Sequence, residues 1–239
     1  MRKRTHLQIW IGLILVFALL FFLFFTDNPD IPQVELAQTQ TEDTNEAPRP
    51  VFELTITEEN VQAILAATQP PSYINREIIQ TRFWENGSGT RRAELWTSGD
   101  AMRLSWDNSE HMLFTEEYYY FWFLNHSPIR RPNRFSNGLE QVFDEFSGIP
   151  SIRHVLNRET SEILSVAQGN LNIAGQVYFV IILSMGQSEL GLRDYYYICA
   201  QTATLLQMES FQGDTLFYRF ETLRFDTGPI DSTVFIVGV

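Results

Sequence analysis

Few side chains in this sequence could do chemistry, and they are scattered. The four histidines, His6, His111, His126 and His154, form no pair at helical or zinc-finger spacing, so no metal site is expected. Cys199 is the only cysteine, which excludes an intramolecular disulfide and any cysteine-based zinc centre; it lies in an apolar strand and reads as a buried, inert thiol. Neighbouring acids such as Glu116-Glu117 and Asp144-Glu145 read as solvated surface pairs. No nucleophile elbow, phosphate-binding loop, zinc-protease or dinucleotide fingerprint occurs, so no catalytic residue, no cofactor and no enzymatic activity are expected. Two other groups can do binding rather than catalysis. Arg130, Arg131 and Arg134, gathered around Pro132, are surface-contact candidates for an anionic headgroup or an acidic patch on a partner. Met102, Leu104, Trp106, Phe121, Phe123, Val180 and Ile182 are ligand-cavity candidates for an acyl chain, with a packed core as the competing reading.

Those residues must be positioned by a mostly β chain. After Val51 one short helix is expected, with Thr57 as N-cap and Val61, Ile64, Leu65 and Thr68 on one face, stopped by Pro70-Pro71. Five strands follow: Tyr73–Trp84, Thr90–Thr97, Ala101–Trp106, His111–Thr115 and Tyr118–Leu124. Turns separate them, the first at Asn86-Gly87-Ser88-Gly89. An Arg- and Pro-bearing loop over 125–138 and two short helical pieces interrupt the meander. One piece carries Leu139, Val142, Phe143 and Phe146, the other Ile149, Ile152, Val155 and Leu156. Strands then resume over 159–168, 176–185, 195–201, 205–211 and 215–225. Val177–Leu183 and Tyr118–Leu124 are apolar at every position, where a half-exposed strand would alternate. With so little helix to cover them, the sheet must curl on itself or enclose an apolar hollow.

The chain has 239 residues and a formal charge of −12, divided into +3 over 1–26, −5 over 27–50 and −10 beyond. An acidic chain without a basic tract is a poor ligand for nucleic acid. Residues 9–25 carry no polar side chain and follow Arg2, Lys3 and Arg4. As a helix they come close to spanning a bilayer core of about 30 Å. Phe21, Phe22, Phe24 and Phe25 stand where a signal peptidase needs small residues, so an uncleaved anchor is expected. The expected organisation is a cytoplasmic basic cap at 1–6, a transmembrane anchor at 7–25, a flexible acidic linker at 26–50 and an extracytoplasmic domain at 51–239. The acidic charge of that domain would be repelled by anionic lipid headgroups, so a headgroup-binding surface is not expected.

The order of helix, meander, helical interruption and second meander resembles the outer-membrane lipoprotein carrier (LolA-like) superfamily, which includes envelope-sensor and sporulation or germination relatives. So do the strand Ala101-Met102-Arg103-Leu104, the hairpin Thr202-Ala203-Thr204-Leu205-Leu206 and the ending Phe225-Asp226-Thr227-Gly228-Pro229. The resemblance covers about 52–237. It implies an α+β, mostly antiparallel fold, a strongly curved or half-barrel sheet with a few short covering helices and a cavity for lipid or lipoprotein acyl chains. It also implies a bacterial cell-envelope setting. An anchor in place of a cleaved signal departs from the superfamily and puts soluble shuttling in doubt. The resulting expectation is a single-pass membrane protein, N-terminus cytoplasmic, binding lipid without catalysis. The alternative is a structural or interaction protein of the envelope, with a packed core, no ligand and a protein partner.

Overall fold

β-Branched and aromatic residues in short runs, each ended by a turn, give eleven strands in a single antiparallel sheet among the described residues. The computed structural model describes residues 55–99, 101–133, 143–144, 147–187 and 191–237, all within one compact unit, Glu53–Val239. The strands are β1 (Tyr73–Trp84), β2 (Gly87–Ser98), β3 (Ala101–Trp106), β4 (Glu110–Thr115), β5 (Tyr118–Phe123), β6 (Ile129–Pro132), β7 (Ile163–Ile173), β8 (Gln176–Gln187), β9 (Leu192–Cys199), β10 (Leu205–Gln212) and β11 (Thr215–Asp226). Their order is β6-β5-β4-β3-β2-β1-β11-β10-β9-β8-β7. The two meanders read from sequence are therefore one open sheet, joined where β1 pairs with β11 from Asn75↔Asp226 to Arg82↔Tyr218. Helix α1 (Val61–Ala67) and helix α2 (Arg153–Leu156) cover one face. Among the described residues no helix is long and apolar enough to cross a membrane. The expected anchor at 7–25, the linker at 26–50 and Arg134 lie outside the described residues.

The main core gathers Val61 and Leu65 of α1, Ile78, Leu95, Leu104, Trp106 and Phe114 from the first half of the sheet, and Ile181, Leu183, Met185, Ile198 and Phe220 from the second. Residues of opposite parity on β8 and β9, Val180 and Cys199, join Ile173, Leu206 and Phe225 in a second cluster. This accounts for a strand that is apolar at every position: β8 packs on both faces, and the sheet curls until Tyr178 donates from its hydroxyl to the Phe225 carbonyl at 3.0 Å. At the tip of the β7–β8 hairpin the cover ends, and Val177 and Phe179 are exposed.

Several boundaries differ from the sequence reading, each for a local reason. The β1–β2 turn is Glu85-Asn86, with Trp84 paired to Gly87, so the Asn-Gly step enters the strand. Gly87 and Gly89 are strand residues that make room for the Trp84 indole, which a Cβ at either position would meet at 3.2 or 3.0 Å. Helix α1 begins at Val61; Thr57 opens the turn before it through its carbonyl, while Asn60 Oδ1 accepts from the Thr57 amide at 2.8 Å. The 125–138 loop contains β6, an edge strand on which a proline costs no ladder bond. Residues Thr160–Glu162 form a 3₁₀ turn, which delays β7 to Ile163.

Candidate functional site

An apolar cavity of about 240 Å³ lies where α1, the start of β1, α2 and the β9–β10 turn converge. Leu65, Ile74, Met102, Ile152, Leu156 and Leu205 form its apolar walls. Long-range bonds from Gln62 and Arg76, with local bonds in the β9–β10 turn, hold those walls in place. Gln62 on α1 donates from Nε2 to the carbonyls of Val155 (3.0 Å) and Arg158 (2.9 Å), and its Oε1 accepts from Thr160 Oγ1 at 2.8 Å. Arg76, buried on β1, donates to the carbonyl of the cavity residue Leu205 at 2.9 Å and lies over the Phe220 ring. Its pKa is pushed down to about 10 by that burial. The β9–β10 turn closes the remaining side, with the Ala203 amide on the Cys199 carbonyl and the Cys199 amide on the Thr204 carbonyl, each at 2.9 Å.

Beside this cavity opens a polar cleft of about 880 Å³, and the two share Asp144 and Arg153, which are paired at 3.3 Å. Within the cleft, Arg158 binds Glu162 at 2.5 Å, Asp194 at 2.7 Å and the Tyr196 hydroxyl at 3.3 Å. Burial opposes the charge of Arg158, but bonds to Glu162, Tyr196 and Asp194 prevail and raise its pKa. The Tyr196 phenol is pushed up to about 12, first by burial and then by Asp194. The arrangement suits an amphiphile, with an apolar tail on one side of the Asp144–Arg153 pair and a polar head on the other. Among the described residues no group of His, Cys, Asp or Glu side chains could hold a metal ion.

The residues singled out from sequence do not converge on one place. Met102 lines the cavity just described. Leu104 and Trp106 are packed in the main core, with the Arg91 guanidinium 4.4 Å from the Trp106 ring centroid. Val180 and Ile182 belong to the second cluster, on the other face of β8. Phe121 borders a separate hollow of about 240 Å³ with Met112, Phe114, Tyr119, Ile129 and Arg131. Phe123 is exposed, Arg130 lies 3.5 Å above the Tyr118 ring centroid, and Arg131 is exposed at the rim of that hollow. Gln62 and Arg76, which brace the walls, and Arg153, which lines the cavity, carry no local signal of their role. Their partners are up to 129 positions away along the chain.

No protein-family model matches the chain, and no curated protein does. Solved structures do. One is a LolA superfamily protein from Nitrosomonas europaea, 9% identical, covering 76% of this chain and 98% of its own at a TM-score of 0.32. Another is a DUF1329 family protein from Desulfovibrio piger, 10% identical, covering 75% of this chain and 96% of its own at a TM-score of 0.37. The Nitrosomonas protein bears the name of the superfamily that the sequence resembles.

Proposed function

We propose that this chain is a membrane-anchored, extracytoplasmic and non-catalytic binding protein that takes the acyl chain of a lipid or lipoprotein. The observation that carries the proposal is the apolar cavity at Leu65, Ile74, Met102, Ile152, Leu156 and Leu205, bordered at Asp144–Arg153 by the larger polar cleft. At about 240 Å³ the apolar part admits one chain end rather than a whole lipid. The head would remain in the cleft. An apolar run at 9–25 and a Pro-containing acidic stretch after it support a tethered binder over a soluble shuttle.

The test is displacement of an environment-sensitive acyl probe from the full chain in mild non-acyl detergent, with native mass spectrometry for co-purified lipid. Binding is expected, and it should fall at least tenfold in Ala66→Phe. Ala66 is an exposed residue of α1 that borders the cavity, so the larger ring blocks the opening without removing core. No probe binding and no co-purified lipid would leave the chain as a packed interaction protein of the envelope.

A further inference from the structure

We infer that the β5–β6 hairpin is a docking tip for an anionic lipid surface. The net charge of the domain conceals this, because the charge of the hairpin is opposite. Residues 118–133 contain Arg130 and Arg131 and no carboxylate, in a domain of −10. Around the turn, three large apolar side chains face solvent: Phe123 is 49% exposed, Leu124 56% and Ile129 52%.

The tip is held in shape before any partner arrives. Phe123 packs edge-on against Phe121 with centroids 5.0 Å apart and meets the His126 ring at 6.4 Å. The His126 amide donates to the Phe123 carbonyl at 2.9 Å, and the Leu124 amide donates to Ser109 on the neighbouring turn at 2.7 Å. Such order lowers the entropy cost of binding.

The spacing fits a membrane interface. Arg130 and Arg131 follow Ile129 by one and two residues, about 3–7 Å along a strand. An apolar surface that sits in the headgroup layer is buried roughly 5–10 Å deep, so the arginines come level with the phosphates. A guanidinium stacked on Tyr118, as Arg130 is, keeps its planar fork of N–H donors, which suits phosphate oxygens. Glu116 and Glu117 lie at the end of β5 away from the 124–128 turn, and Asp107 and Glu110 are both held by Arg91, at 3.3 and 2.8 Å, which moderates their repulsion of an anionic surface.

The β7–β8 hairpin supplies an internal control. It also exposes large apolar residues, Val177 at 62% and Phe179 at 45%, but 163–187 contains no charged side chain and its turn lies at the opposite end of the strands. It should not respond to lipid charge.

The experiment uses the full chain in nanodiscs of phosphatidylcholine alone or mixed with phosphatidylglycerol. Leu124→Cys carries an environment-sensitive fluorophore; Cys199, 2% exposed, is protected from the label. The expected result is a blue shift and quenching by lipid-borne nitroxide only when phosphatidylglycerol is present. Arg130→Gln with Arg131→Gln should weaken this docking equilibrium roughly 30-fold, since each basic residue near such a surface contributes about 1 kcal/mol. A label at Val177→Cys should report no difference between the two lipid mixtures. Equal emission from the Leu124 label in both mixtures, or docking unchanged in the double variant, would overturn the inference. A shift produced in neutral discs by added polyglutamate, with none produced by phosphatidylglycerol, would assign the tip to an acidic protein partner and overturn it equally.

Discussion

Gln62 shows how much a single side chain decides about the cavity. Its amide spans from α1 to two carbonyls and a hydroxyl on the segment 155–160, and so fixes the distance between two walls. Gln62→Ala should cost about 1–2 kcal/mol in chemical denaturation, because two part-buried carbonyls lose their donor. Gln62→Glu should cost more, since a carboxylate cannot donate to either carbonyl. The reverse ranking would mean that water replaces the amide without loss. His111 makes a second prediction at this scale. Its ring stacks on Trp122, and burial first, then the Arg103 guanidinium, hold the imidazole below its ordinary value. The unfolded chain therefore binds that proton more readily than the folded chain. The stability linked to His111 is full above the unfolded value of about 6.5 and is lost as pH falls through the lower folded one. Between about pH 7.5 and about pH 5.5 the melting temperature of the native chain should fall more steeply than that of His111→Gln. Parallel profiles would show that His111 titrates alike in both states. Neither role was legible in the sequence, where His111 is one of four unpaired histidines and Gln62 is one polar residue on a helix.

Elements were far more legible than contacts, because strand and turn chemistry is local. β1 and β3 have the bounds their alternation and turns predict, and β10 and β11 each differ by one residue. The misses are equally physical. β6 was hidden because Pro132 and two arginines look like loop, whereas on a sheet edge those residues discourage further pairing. The Asn-Gly signal was displaced by one step because Trp84 needs the two glycines opposite and beside it. The register of β8 yields a prediction at this scale. A Cβ on Gly186 would lie 2.8 Å from Leu164 Cδ1 and 3.0 Å from the Leu192 carbonyl oxygen. The side chain can yield, but the carbonyl belongs to the neighbouring strand β9. Gly186→Ala should therefore destabilise by about 1–3 kcal/mol, and adding Leu164→Ala should recover only part of the loss. Full recovery in that double-mutant cycle would place the whole strain on Leu164.

At the scale of the molecule, the decisive feature is that two meanders share one sheet. A sequence reading locates each meander but not their junction, because β1 and β11 pair across more than a hundred residues and no turn announces the contact. The junction also unites the core: Phe220 of β11 and Ile78 of β1 are completely buried in a cluster with contributors from both halves. Cooperative unfolding follows, since neither half can expose its share without opening the other. The chain offers separate reporters for the two halves. Trp84, Trp96, Trp106 and Trp122 all lie within β1–β5, and the buried thiol of Cys199 lies on β9. Tryptophan emission and thiol protection should therefore give coincident denaturation curves. Phe220→Ala, which empties a large site at the junction, should lower both midpoints together by about 3–5 kcal/mol of stability. If the thiol becomes reactive at a denaturant concentration where tryptophan emission is still native, the β7–β11 half opens alone. The cavity wall formed by the β9–β10 turn would then be the first part of the candidate site to be lost.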